Sequence, residues 1–166
     1  MLSEATTNIA APVSLADCTR LELVVPQLRE RDTAGIISEL SHLLQREGVV
    51  PDVLPFYQAA LNQELLANSA LEIGVALPHA RLSGVKRLHF AFGRTAEPVV
   101  WGGRSSLPVQ LIFLLAVPAT DAAGYLHLLA SLARLGQRPE LLAQLRLAES
   151  AEAILAVLER IRLRPG

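Results

Sequence analysis

The run PVQLIFLLAVP, from Pro108 to Pro118, constrains this chain more than any other stretch, because only Gln110 is polar between its two prolines. Successive side chains of a strand point to opposite sides, so a strand that is apolar throughout must be covered on both faces. As a helix the run is too short to cross a bilayer, which takes about 20 apolar residues. It predicts an interior strand of a sheet sandwiched between helices.

The rest of the chain supplies those helices. Asp32 or Thr33 caps a first one, in which Ile36, Ile37, Leu40, Leu43 and Leu44 recur at helical spacing until Gly48 stops it. A second is expected from Val53 to Leu66, with Leu54, Tyr57, Ala60, Leu61 and Leu65 as its inner side. Helical spacing returns in YLHLLASLARL from Tyr125 to Leu135. It returns again in PELLAQLRLAES, where Pro139 suits a first helical position, and in a last helix that Ser150 caps and that runs to about Arg162. Strands are expected in LELVV from Leu21, ended by Pro26, in the segment entering GVALPH, and in RLHFAFG from Arg87 to Gly93. EPVVWGGRSSLP then reads as a turn-rich connection, on its Gly102-Gly103 and Ser105-Ser106 pairs.

These elements fit one domain. The chain has 166 residues, of which 51% are hydrophobic and 19% charged, enough for a substantial core. Residues 1–16 show no sustained period and are expected to be a flexible lead-in to a single domain over 17–166. Fifteen basic and 16 acidic residues leave a formal net charge of -1, so no overall field draws the chain to nucleic acid or anionic lipid. A partner must be recognised locally. Cys18 is the only cysteine, which excludes an intramolecular disulfide and a thiolate metal cluster and suits a reducing compartment. The N-terminus lacks the basic start and apolar core of a secretory signal, and a cytoplasmic protein without membrane insertion is expected.

The common catalytic spacings are absent: no phosphate loop ending in Gly-Lys-Ser/Thr, no His-Glu-x-x-His, no Gly-x-Ser-x-Gly. Four histidines remain. His42 lies beside Gln45 and Arg46 on a solvated helix face. His89 alternates with Leu88 and Phe90 in a strand and reads as a structural histidine. Their spacing suggests no metal site.

His79 differs. In GVALPHAR, Gly74 to Arg81, Pro78 forces the residue before it into an extended conformation and removes a ladder donor, which places His79 at a strand exit. A neutral imidazole is a competent nucleophile near pH 7. Small Ala80 lets a second protein approach, and Arg81 can offset negative charge arriving on the ring. Taken alone, these residues leave a structural histidine and a phosphoryl acceptor equally open.

GVALPHAR resembles the active-site segment of the type-2 EIIA domains, the fructose, mannitol and nitrogen-regulatory branch of the bacterial phosphoenolpyruvate-dependent phosphotransferase system. EPVVWGG followed by LPVQLIFLLAVP, then YLHLLASLARL and the two helices after it, continue the resemblance over roughly residues 20 to 162. It implies a three-layer α/β/α sandwich with a mixed central sheet. It also implies a phosphocarrier in which His79 takes a phosphoryl group from a phosphorylated HPr-type protein, with no cofactor, since a phosphohistidine is already activated. A separate EIIB or a regulatory target would receive the group or the signal.

The sequence departs from the family's pattern at several positions. The usual Arg-Glu pair is Gln63-Glu64, so a cation is missing. The glycine-rich approach is Asn68-Ser69-Ala70-Leu71-Glu72-Ile73-Gly74, which keeps one glycine and adds the charge of Glu72. The family's second histidine falls in register at Tyr125 rather than His127. Two helix positions amount to roughly 200° of rotation, so the two side chains do not substitute for each other. Ser69, Gln63, Arg81, Tyr125 and His127 are thus the residues expected around the phosphoryl group or its donor. A regulatory binding module of the same fold, with weak or lost transfer, is the alternative these departures favour.

Overall fold

The computed structural model describes residues 12–102 and 107–163. Gly103, Ser105 and Ser106 of the expected turn pairs, and residues 1–11 of the expected lead-in, lie outside them. Pro108–Pro118 forms strand β5, and it organises the domain. From Leu111 on, Leu111, Phe113, Leu115 and Val117 project into one core while Ile112, Leu114 and Ala116 project into another; Val109, beyond a register shift, joins the second. That period of two is what a strand covered on both faces must show.

β5 pairs antiparallel with β4 (His89–Val100) on one edge and parallel with β2 (Val75–Ala76) and β3 (His79–Leu82) on the other. β1 (Val24–Val25) adds to β4 in parallel, giving a mixed sheet in the order β1-β4-β5-β2, with β3 also on β5. Helices α1 (Thr33–Arg46) and α2 (Val53–Leu66) cover one face. Helices α3 (Ala122–Ala133), α4 (Pro139–Leu147) and α5 (Ala151–Leu158) cover the other. The result is the three-layer α/β/α sandwich expected from the sequence. Phe113 meets Phe90 and Phe92 with ring centroids 5.3 and 5.0 Å apart, the first pair tilted and the second edge-to-face, contacts of the kind that add about 0.5–1.5 kcal/mol beyond their burial.

The helix caps are the ones the sequence signals. Asp32 accepts from the Gly35 amide at 2.7 Å and Ser150 from the Ala153 amide at 3.0 Å, each worth about 1 kcal/mol. Several boundaries differ from expectation. Leu21–Leu23 is a 3-10 turn, leaving only Val24–Val25 to pair. β4 runs on through Glu97, Pro98 and Val99 to Val100, absorbing an irregularity between Arg94 and Val99, so the first four residues of the expected connection are strand. α5 stops at Leu158, after which Arg162 bridges back to Ser14. That bridge, with the Leu15 amide on the Ile161 carbonyl and Leu15 fully buried, ties down the last residues of the expected lead-in.

The inner side of α2 also differs. Phe56, Ala60 and Glu64, spaced four apart, are its buried residues, whereas Leu54 and Leu65 are more than half exposed. The helix is apolar on more than one side, so periodicity alone did not select the face. The bulk of Phe56 and the partners of Glu64 select it.

Candidate functional site

β3 carries His79 along the edge of the sheet. Pro78 interrupts the ladder for lack of an N–H, but its carbonyl accepts from the Leu115 amide at 2.9 Å, and pairing resumes at once with His79 opposite Leu115. His79 therefore opens a strand rather than leaving one, which corrects the sequence expectation. Alternation along β3 buries Ala80 among the residues under α1 and α2 and leaves His79 half-buried and Arg81 exposed.

A cavity of about 320 Å³ lies at this edge, between the two helical layers. Ala59 and Gln63 of α2 line it from one side, Tyr125 of α3 from the other, and His79, Ala80, Arg81 and Val117 form its floor. The Tyr125 hydroxyl lies 3.0 Å from His79 Nε2, and the two ring centroids are 5.0 Å apart. The Arg81 guanidinium carbon is 5.9 Å from the centre of the Tyr125 ring, within cation–π range. Burial raises the Tyr125 phenol above its ordinary pKa, with the nearby Arg81 charge opposing. At neutral pH the hydroxyl therefore keeps its proton and is a donor.

On the other side of the imidazole, Nδ1 is 3.4 Å from the Leu77 carbonyl oxygen. A carbonyl only accepts, so the consistent tautomer carries its proton on Nδ1 and leaves the Nε2 lone pair to face Tyr125 and the cavity.

The approach to His79 is held at several points. Gly74 adopts φ +86°, a conformation that L side chains rarely take, and a Cβ there would meet the Arg146 guanidinium at 2.9 Å. Its carbonyl accepts from both the Gln110 and Leu111 amides, and the neighbouring Ile73 carbonyl accepts from Arg146 at 2.5 Å. This is the physical need behind the single glycine retained in the segment. Asn68 donates to the Trp101 carbonyl and accepts from the Ala70 amide.

Among the residues singled out from sequence, the structure brings together His79, Arg81, Tyr125 and Gln63. Ser69 does not line the cavity, because its hydroxyl is committed: it donates to Glu64 Oε1 at 2.7 Å and accepts from the Leu77 amide at 2.9 Å. His127 also lies outside the cavity, on the exposed side of α3, because rotation along the helix turns it away when Tyr125 faces in. Glu72 is exposed and contributes nothing to the lining. Sequence reasoning missed Ala59, Val117 and the role of Glu64. The last had no usable signal, because the face of α2 that carries Glu64 with Phe56 and Ala60 emerges only from the packing.

Fold and site together define a mixed-sheet α/β/α domain that presents an imidazole at its sheet edge beside a phenol and a guanidinium. The chain matches the model of the family described as phosphoenolpyruvate-dependent sugar phosphotransferase system, EIIA 2, over residues 18–161, and it belongs to that family. It is 30% identical over 149 residues to a nitrogen regulatory protein of Bradyrhizobium diazoefficiens, covering 87% of this chain and 94% of that protein. It is also 30% identical over 135 residues to the fructose-specific EIIABC component of Bacillus subtilis, covering 80% of this chain but only 21% of that longer protein. The nitrogen regulatory protein IIA-Ntr of Neisseria meningitidis shares the fold with a TM-score of 0.76 at 32% identity, covering 87% of this chain and 98% of that one. Enzyme IIA-mannitol of Escherichia coli, solved in complex with phosphorylated enzyme IIB-mannitol, has a TM-score of 0.71 at 19% identity, over 84% and 97% of the two chains. That last likeness is one of fold. No helix among the described residues is long and apolar enough to cross a membrane.

Proposed function

We propose that this protein is a phosphocarrier whose His79 accepts a phosphoryl group from a phosphorylated HPr-type protein in the cytoplasm, in a nitrogen-regulatory rather than a dedicated sugar-transport role. The observation that carries the reading is the presentation of His79, with Nδ1 turned to the Leu77 carbonyl and Nε2 turned to an open cavity. The Nε2 lone pair attacks phosphorus, a new N–P bond forms, and the bond to the donor's histidine nitrogen breaks with its electron pair returning to that ring. No group on this chain need act as an acid or base, so its task is alignment and charge stabilisation. As the group arrives, the Tyr125 hydroxyl turns from Nε2 to a phosphoryl oxygen, and Arg81 at the rim offsets the added charge.

The regulatory role follows two of the relatives matched over nearly their whole length at 30% identity or more, both named as nitrogen regulatory proteins. A separate EIIB is the alternative recipient, by analogy with the mannitol pair. Incubation with phosphoenolpyruvate, enzyme I and either HPr or its nitrogen-branch counterpart, read by intact mass, tests the proposal. The expected result is one acid-labile phosphoryl adduct that is absent in His79→Ala. An adduct that persists in that variant overturns it.

A second reading has its own support: Tyr125 occupies the Nε2 lone pair at rest, and the cavity holds Gln63 where the family's pattern has a cation. Both features suit a binding module with weak or lost transfer. Failure to acquire the group from either donor is the outcome that selects it.

A further inference from the structure

Glu64 is 2% exposed at the inner end of α2, and no basic side chain pairs with it among the described ion pairs. Its carboxylate is satisfied by one residue. Oε2 accepts from the Ser69 amide at 2.6 Å and Oε1 from the Ser69 hydroxyl at 2.7 Å. A buried carboxylate is costly unless hydrogen-bonded, and charge-assisted bonds of this kind are short and strong. With its proton given to Glu64, the Ser69 oxygen turns its lone pairs to the Leu77 amide, which donates to it at 2.9 Å. That bond anchors the Ala76–Leu77 peptide, and because Pro78 restricts Leu77 to extended backbone, the orientation carries over to the next peptide plane, Leu77–Pro78. The carbonyl of that same residue faces His79 Nδ1.

We propose that Glu64 is a positioning residue for the phosphoryl acceptor: acting through Ser69 and the Leu77 backbone, it holds the carbonyl that keeps the His79 proton on Nδ1 and leaves Nε2 unprotonated. With the opposite tautomer, an Nδ1 lone pair would face a carbonyl lone pair, and the nucleophilic nitrogen would carry a proton. The relay has no contact with the cavity, so it acts only through where the ring points and which nitrogen is protonated. Its value for transfer rests on the phosphocarrier reading, but its effect on the tautomer does not.

The test is nitrogen-15 NMR of the His79 ring at a pH where it is neutral, in the wild type and in Ser69→Ala, Ser69→Thr and Glu64→Gln, with amide spectra as the check on folding. In the wild type the form protonated on Nδ1 dominates. Ser69→Ala and Glu64→Gln raise the other tautomer several-fold and slow phosphoryl acquisition about tenfold, as loss of an orienting hydrogen bond should, and Ser69→Thr restores both. A wild type dominated by the Nε2–H form overturns the proposal without any variant. Unchanged tautomer ratios in folded Ser69→Ala and Glu64→Gln overturn it as well. If no variant or wild type acquires phosphate while the tautomer responds as stated, the phosphocarrier reading fails and the positioning role stands.

Discussion

The two sides of the His79 ring are built differently. Behind it, residues 68–78 are held by Glu64, Ser69, Trp101, Gln110, Leu111 and Arg146, most of them bonding to backbone. In front, the cavity offers one hydroxyl, a rim guanidinium and an amide side chain. Fixed backbone costs its ordering entropy once, during folding, and holds a nucleophile in place for every later encounter. An open front leaves room for a second protein to bring its own groups. The contrast teaches that, on the reading proposed for it, this domain orients the acceptor and leaves part of the charge stabilisation to its partner.

The variants that sharpen this contrast differ in size. Tyr125→Phe removes the only hydroxyl at the front among the described residues and has the largest expected effect after loss of His79 itself. One hydrogen bond to a charged phosphoryl group is worth about 1.5–3 kcal/mol, so steady-state phosphorylation falls roughly 10- to 100-fold by intact mass. Because burial holds the phenol above its ordinary pKa, the proton is still present as pH rises through 9, and the wild-type advantage persists there. A loss of that advantage already at pH 9 would show that the hydroxyl is not the donor.

Gly74→Ala attacks the back. It forces a side chain into φ +86° and against Arg146, at a cost of about 1–2 kcal/mol in global stability, measured by chemical denaturation. Gly48→Ala is its control, since Gly48 has φ +79° but nothing within 4 Å of an added Cβ. A larger loss for Gly74 isolates the contribution of the Arg146 contact. His127→Ala is expected to change stability by less than about 0.5 kcal/mol and phosphorylation by less than twofold, because its exposed side chain faces neither region. An effect as large as that of Tyr125→Phe would mean that α3 rotates in the working state.

Much of this arrangement was legible in the chain. β5 was, because an apolar run closed by two prolines has few other homes. The pairing of His79 with Tyr125 followed from helix rotation once the resemblance fixed the register. The inner face of α2 was not legible, since leucines on its outer side repeat as regularly as Phe56 and Ala60 do. Ser69 was placed correctly in the approach but given the wrong neighbour, because spacing along a loop does not say which way a hydroxyl turns. Glu64 went unread for the same reason: its partner lies five residues on, across a helix end, where no periodic rule applies.

β5 has a further consequence for how the molecule comes together. Its antiparallel neighbour β4 lies just upstream in the chain, whereas β3 must return from beyond that hairpin to reach the opposite edge. Near pairings close before distant ones, because shorter loops lose less entropy. A newly made chain should therefore own its central ribbon before it owns an acceptor, and a half-assembled copy would compete poorly for the donor.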